Sequence, residues 1–312
     1  MPLIEEVATE EDTGCPSFLI YGTGGGGKST LMLTCPAPGI VGLDAQANIV
    51  KPFLEHGIAS YKNGKLVMNT SSVKLWDARR DEKGNGLSDT WAEARRGIDF
   101  FIEDSSVKTI IIDNLTFAWE DWVQSERGRS VDSGKTDFAA WDKFLSRCRI
   151  MKGRAADAGK LFIFLAHEVE TKSGYVKIPI PGQPGEILPA DATCVFRIVR
   201  KKMAGGKAQR LLMTRPTAEY YAKGYETLLE EEEAADMRVI LDKIGLLDNY
   251  TQADFEHCKL LEKTFNTPFQ SSRLRDLPTG KTVGTNASAS AASAASKTKP
   301  KASFGITRPT RA

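Results

Sequence analysis

Short apolar runs alternate with longer amphipathic stretches along most of this chain. "SFLIY" (17–21), bounded by Pro16 and Gly22, predicts a buried strand. "KSTLMLTC" (28–35) has helical character until Pro36 and Pro38 stop it. "GIVGLD" (39–44) predicts a second strand. Residues 88–104 space Trp91, Ala94, Ile98, Phe101 and Ile102 along one helical face, with Ser88 as N-cap. "VKTIIIDN" (107–114) predicts a third strand, and its unbroken β-branched run implies burial on both faces. Residues 137–158 predict a long amphipathic helix carrying Phe138, Trp141, Phe144, Leu145 and Cys148 on one side. "KLFIFLAH" (160–167) is the fourth strand.

Strands alternating with helices predict an α/β fold, a mostly parallel sheet flanked by helices. After residue 190 the pattern changes. "TCVFRIVR" and "QRLLMTR" predict an antiparallel edge hairpin turned at Gly205-Gly206. Residues 230–246 and 252–264 predict two closing helices, with the acids at 230–233 in the first turn, where the helix dipole tolerates them. From about 270 the chain turns to Ser, Ala, Thr, Lys and Pro, which predicts a disordered basic tail. The expected organisation is an acidic segment (1–14), a core (15–228), C-terminal helices (229–269) and the tail (270–312).

With 41% hydrophobic and 26% charged residues, the composition is that of an ordinary soluble protein. The five cysteines form no CxxC pair, which suits a reducing compartment. The N-terminus has neither a basic region nor an apolar core like those of signal peptides, and no run is long enough for a membrane span. A cytoplasmic protein is expected, with no membrane partner. The net charge of +2 hides a split. Residues 1–14 carry five acids and no base, whereas residues 270–312 carry eight bases and one acid. Such an arm suits nucleic acid or an acidic protein.

The chemistry concentrates between the first strand and the first helix. Gly22 to Ser29, "GTGGGGKS", fits G-x-x-x-x-G-K-[ST], a phosphate-binding P-loop in its required setting. Glycines let backbone N–H groups wrap a phosphate chain, so Gly22, Thr23, Gly24, Gly25, Gly26, Gly27, Lys28, Ser29 and Thr30 are the candidate nucleotide contacts. Lys28 supplies charge to the phosphates and Ser29 a hydroxyl for Mg²⁺, with ATP as the expected nucleotide. Asp113, ending "TIIID", stands where a Walker-B aspartate holds the metal; it also suits a helix cap. Asp44 is a second strand-end carboxylate at the same edge of the sheet and, with Ser29 and Asp113, a candidate metal ligand. His167, followed by Glu168, either senses the γ-phosphate or is structural. His56 and His257 carry no assignment.

In order, "GTGGGGKST", "LDAQ", "TIIIDNLT", a Trp-containing helix, "LFIFLAHE", the edge hairpin and "YYAKG" resemble the RecA-like ATP-binding proteins of bacteriophages. This is the phage nucleotide-binding AAA-domain family, some of whose members act in single-strand annealing recombination. The resemblance covers about residues 15–228 and implies a RecA-like P-loop NTPase, in host cytoplasm if phage-encoded. It implies Lys28 and Ser29 at the phosphate and metal, Asp113 as Walker-B acid, and His167 at the sensor position. It makes residues 168–190 a mobile DNA-facing loop. Where RecA-like ATPases keep a water-activating glutamate, this chain has Gln46, a poor base. Either Asp44 or Glu168 substitutes, or hydrolysis is slow and ATP acts as a binding switch. A ring or filament is implied, with Arg197, Arg200 or Lys223 reaching a neighbouring subunit's site.

The run 197–210 holds six bases in fourteen residues. It reads as a phosphate- or subunit-contacting hairpin, or as a charged edge that discourages sheet pairing. The loop 127–137 is a second basic segment. The tail offers charge with little stacking, suited to single-stranded DNA or to the acidic end of a single-strand DNA-binding protein. An ATP-dependent recombination protein is the first expectation. An ATP-gated assembly factor or loader is the second, and a motor ranks last.

Overall fold

The computed structural model describes residues 15–279 apart from 45, 81–85, 88, 128–137, 203–207 and 266–271. β1 (Ser17–Gly22) leads into the short helix α1 (Lys28–Met32), and β2 (Pro38–Gly42) into α2 (Gln46–Glu55). β3 (Ala59–Lys62), β4 (Lys65–Met68) and β5 (Lys74–Asp77) follow. Next come α3 (Thr90–Glu103), β6 (Thr109–Asp113), α4 (Leu115–Arg127), α5 (Phe138–Asp157) and β7 (Leu161–His167). A small hairpin, β8 (Val169–Glu170) with β9 (Val176–Lys177), precedes α6 (Gln183–Asp191). The chain then forms β10 (Cys194–Lys202), β11 (Ala208–Met213), β12 (Glu232–Ala234), α7 (Met237–Lys243) and α8 (Cys258–Phe265).

The main sheet runs β12-β11-β10-β1-β7-β6-β2-β5. From β10 to β5 all pairs are parallel; β11 and β12 add an antiparallel edge. The class read from the sequence, mostly parallel with an edge hairpin, is the class observed. Period-two alternation divides the apolar strands between two cores. Leu19 and Tyr21 of β1 pack with Trp91, Trp119 and Phe144 of α3, α4 and α5. Phe18 and Ile20 face the other way, with Leu31, Phe53, Ile240 and Leu261 of α1, α2, α7 and α8. The parallel register aligns Gly22 with His167 and Gly42 with Asp113, so four strands deliver their carboxyl ends to one edge.

Several expectations are corrected. α1 ends at Met32, because the amides of Leu33, Thr34 and Cys35 bond only three residues back, to Thr30, Leu31 and Met32. Ser88 lies outside the described residues, and Asp89 caps α3 by accepting from the Ala92 amide at 2.9 Å. The acids at 230–233 start no helix. Part of that run is β12, and Glu233 turns inward, 4% exposed, to accept from Lys243 Nζ at 2.7 Å and from the Glu230 amide at 2.7 Å. The helix begins later, at Met237, capped by Asp236. The stretch 252–264 is interrupted: a 3-10 turn, Gln252–Phe255, with a capping box from Thr251 and Asp254, precedes α8. Order also extends past 270. Leu277 is buried, and Arg273 pairs with Asp242 at 2.8 Å and Asp248 at 2.6 Å. Residues 1–14, 128–137 and 280–312 and the turn at Gly205-Gly206 lie outside the described residues.

The β3–β4 hairpin was missed, although Asn63 (φ 52°) and Gly64 (φ 74°) occupy the left-handed pair that an Asn-Gly turn favours. All five cysteines are free. Among the described residues no helix is long and apolar enough to cross a membrane.

His257 shows how far the second core is closed to water. It is fully buried, with Nδ1 3.1 Å from Ser72 Oγ and Nε2 3.7 Å from Cys258 Sγ. Burial pushes its pKa down to about 4, whereas an unfolded histidine takes its proton near 6.5. Below about pH 6.5 the unfolded chain therefore binds the proton that the folded chain refuses. Stability is complete above that pH and falls as pH drops toward 4, by about 3 kcal/mol in all. Thermal unfolding from pH 7 to 4 should show this decline, and His257→Gln should flatten it.

Candidate functional site

The loop after β1 is shaped by two close approaches. A Cβ on Gly22 would lie 2.6 Å from the Ile198 carbonyl oxygen of β10. Gly27 adopts φ 103°, and a Cβ there would lie 2.4 Å from Cδ and Nε of Arg210. Between them the Gly26 amide bonds the Thr23 carbonyl at 3.0 Å, and the Leu31 amide starts α1 on the Gly27 carbonyl at 2.9 Å. Lys28 is 6% exposed. Its ammonium donates to the Gly22 carbonyl at 2.8 Å and the Thr23 carbonyl at 2.9 Å, folding back onto its own loop. Burial lowers its pKa, opposed by the charges of Asp113, Glu168 and Asp44.

Ser29 Oγ donates to Asp113 Oδ2 at 2.8 Å, joining the start of α1 to the end of β6. Burial raises the Asp113 pKa against the opposing effects of that bond and of Lys28. Asp113 is followed by a cis peptide bond to Asn114. Asn114 Oδ1 accepts from the Phe117 amide at 3.0 Å, so its Nδ2 faces His167 Nε2 at 3.1 Å. That orientation makes Nε2 the acceptor and places the imidazole proton on Nδ1. Burial, then the charge of Lys28, lowers the His167 pKa, consistent with a neutral ring.

A cleft of about 510 Å³ opens over these groups. It is lined by residues 24–30, Asp44, Asn48, Lys51, Pro52, Glu55, Asp113, Asn114, His167 and Arg210. The expected Ser29, Asp44, Asp113 and His167 therefore meet in one place. Asp44 also accepts long contacts from Asn48 Nδ2, at 3.3 and 3.4 Å. A larger cleft, about 600 Å³ between β1, β9 and α6, contains none of the candidates.

Glu168, Arg197, Arg200 and Lys223 do not line the cleft. Glu168 is held by Arg197, Nε to Oε2 at 2.9 Å and Nη2 to Oε1 at 3.3 Å. Arg197 also lies 5.1 Å over the Tyr220 ring. This pairing occupies Glu168 as a base and Arg197 as a donor to another subunit. Lys223 Nζ donates to the carbonyls of Ala190 and Ala192, at 3.1 and 2.9 Å. Arg200 is exposed on β10. Gln46 opens α2, but its side chain lies outside the described residues. The expected mobile loop at 168–190 is corrected: it contains β8, β9 and α6, and Val176, Ile178, Ile180 and Leu188 anchor it in the first core.

The residue that sequence reasoning passed over is Arg210. It belongs to the basic run 197–210, whose composition alone gives no direction to the side chain. The alternation Arg210, Leu212 places it on the Leu31 side of the sheet, and that was the available signal.

Among the described residues no three His, Cys, Asp or Glu side chains cluster to hold a metal. The Ser29 hydroxyl and the Asp113 carboxylate nevertheless suit Mg²⁺, a hard cation that takes one or two protein oxygens and completes its shell with phosphate and water.

A glycine loop between a parallel strand and a helix, beside a strand-end aspartate bonded to the loop serine, defines a P-loop nucleotide-binding domain. The chain belongs to an AAA domain family, whose sequence profile matches residues 16–224. No curated protein matches it. Among solved structures it is similar to a KaiC-like protein of Pyrococcus horikoshii, at 11% identity and a TM-score of 0.36, over 66% of this chain and 81% of that one.

Gly27→Ala should destabilise the fold by about 1–2 kcal/mol through its left-handed backbone. Gly24→Ala, with open space at its Cβ, should stay within about 0.5 kcal/mol of wild type. Denaturant unfolding without nucleotide makes the comparison.

Proposed function

We propose that this protein binds ATP with Mg²⁺ at the P-loop, hydrolyses it slowly, and works as an oligomeric ATPase on single-stranded DNA in annealing or recombination. The observation that carries the ATP reading is the Ser29–Asp113 hydrogen bond beside the enclosed Lys28. On binding, the Lys28 ammonium leaves the Gly22 and Thr23 carbonyls for the phosphates, exchanging neutral acceptors for charged ones. Ser29 and Asp113 would hold Mg²⁺, which neutralises charge developing on the phosphates. Of the two candidate substitutes for the missing glutamate, Asp44 lines the cleft, whereas Glu168 is tied to Arg197. An aspartate in Asp44's place and a glutamine at 46 support slow turnover.

The DNA reading rests on charge. Residues 280–312 carry six bases and no acid, and β10 presents Arg200, Lys201 and Lys202 at its end. An ATP-gated assembly factor gripping an acidic partner would use the same site and the same tail.

Lys28→Ala should lower ATP affinity about 100-fold without unfolding the protein. Undiminished ATP binding in that variant refutes the site. Single-stranded DNA should stimulate ATPase in the wild type. Deleting residues 280–312 should weaken DNA binding and reduce its salt slope by about 0.7 per lost phosphate contact. Unchanged DNA binding would favour the partner reading.

A further inference from the structure

Arg210 brings a cation to the cleft from an unexpected direction. β11 lies two strands away from β1. β1 pairs with β10 only as far as Tyr21 opposite Arg197, while Arg210 sits opposite Arg200, farther along β10. The β10–β11 hairpin therefore overhangs the glycine loop, and Arg210 returns from it across Gly27. The side chain lines the same cleft as Lys28, Ser29 and Asp113. Its Nε is buried and has no hydrogen-bond partner, and among the described residues it forms no ion pair. Asp44 and Glu55 line the cleft too, yet neither is paired with it there.

A buried guanidinium nitrogen without an acceptor is costly, and the cost is removed when an anion arrives. Guanidinium presents a planar fork that matches phosphate oxygens, and it keeps its charge at any working pH. The unpaired nitrogen is turned to the glycine whose neighbour, Lys28, is the loop's own phosphate residue. We propose that Arg210 is a second phosphate-binding cation of this site, supplied by the same chain that supplies the P-loop. Resting on the nucleotide reading above, this deepens it: occupancy of the site is conveyed directly to the hairpin that bears Arg200, Lys201 and Lys202. Nucleotide binding and the basic hairpin are then coupled through one side chain.

The test uses the full chain and two probes, ATP and inorganic tripolyphosphate, with Kd measured for the wild type, Arg210→Ala and Lys28→Ala. Arg210→Ala should weaken both probes by about 10- to 100-fold, the loss of one charged hydrogen-bonding partner. Its melting temperature without nucleotide should not fall, because no internal bond is broken. Should the alanine variant fold poorly, Arg210→Gln, which retains most of the length, takes its place. ATP weakened with tripolyphosphate unchanged would mean a contact to base or sugar, and would overturn the proposal. Wild-type affinity for both probes in Arg210→Ala, with Lys28→Ala still defective, overturns the proposal and leaves the nucleotide site standing. Wild-type affinity in Lys28→Ala refutes the site itself.

Discussion

A charged lysine enclosed at the end of the first strand is the constraint on which the site depends. Removing an ammonium from water is unfavourable unless polar groups surround it. Lys28 meets that demand with two carbonyls of its own loop and with the negative potential of Asp113, Glu168 and Asp44. The parallel register makes this possible, because it carries Gly22, Asp113 and His167 to the same edge of the sheet. Asp113 is in the complementary position. It is deeply buried, and the Ser29 hydroxyl and Lys28 offset the resulting preference for its neutral form. The loop is thus held in its phosphate-ready shape by contacts that a bound anion would exchange rather than create.

Around this centre several polar groups are already committed to one another. Asn114 links the end of β6 to His167 and orients its ring, while Phe117 stacks edge-on at 5.6 Å. Next along the chain, Glu168 and Arg197 neutralise each other, each largely shielded from water. A half-buried, two-pronged pair of this kind fixes geometry more than it adds net stability. It ties the residue after β7 to the adjoining edge strand β10.

The central strands were legible because burial on both faces leaves continuous apolar runs, as in "TIIID" and "LFIFLA". The P-loop was legible because its glycines and lysine fall in a fixed order. Short, half-exposed elements were not. β5 pairs on one edge only, so "KLWD" has no apolar signature, and β12 reads as a run of acids. Glu233 defeats composition altogether, since its burial depends on Lys243, ten residues on. α6 hides behind Pro184 and Pro189, which suggest a loop until the cap at Gly182 is seen. Arg210 and the Glu168–Arg197 pair needed strand pairing, which a linear pattern does not contain.

β12 has a consequence for how copies of this chain can meet. It is only three residues long, and its Glu232 is engaged by Lys201 across the hairpin at 2.6 Å. Little free backbone is left there for another molecule to zip onto. A neighbour approaching β12 itself would meet the exposed Lys201–Glu232 pair, and electrolyte would loosen a contact made through those charges.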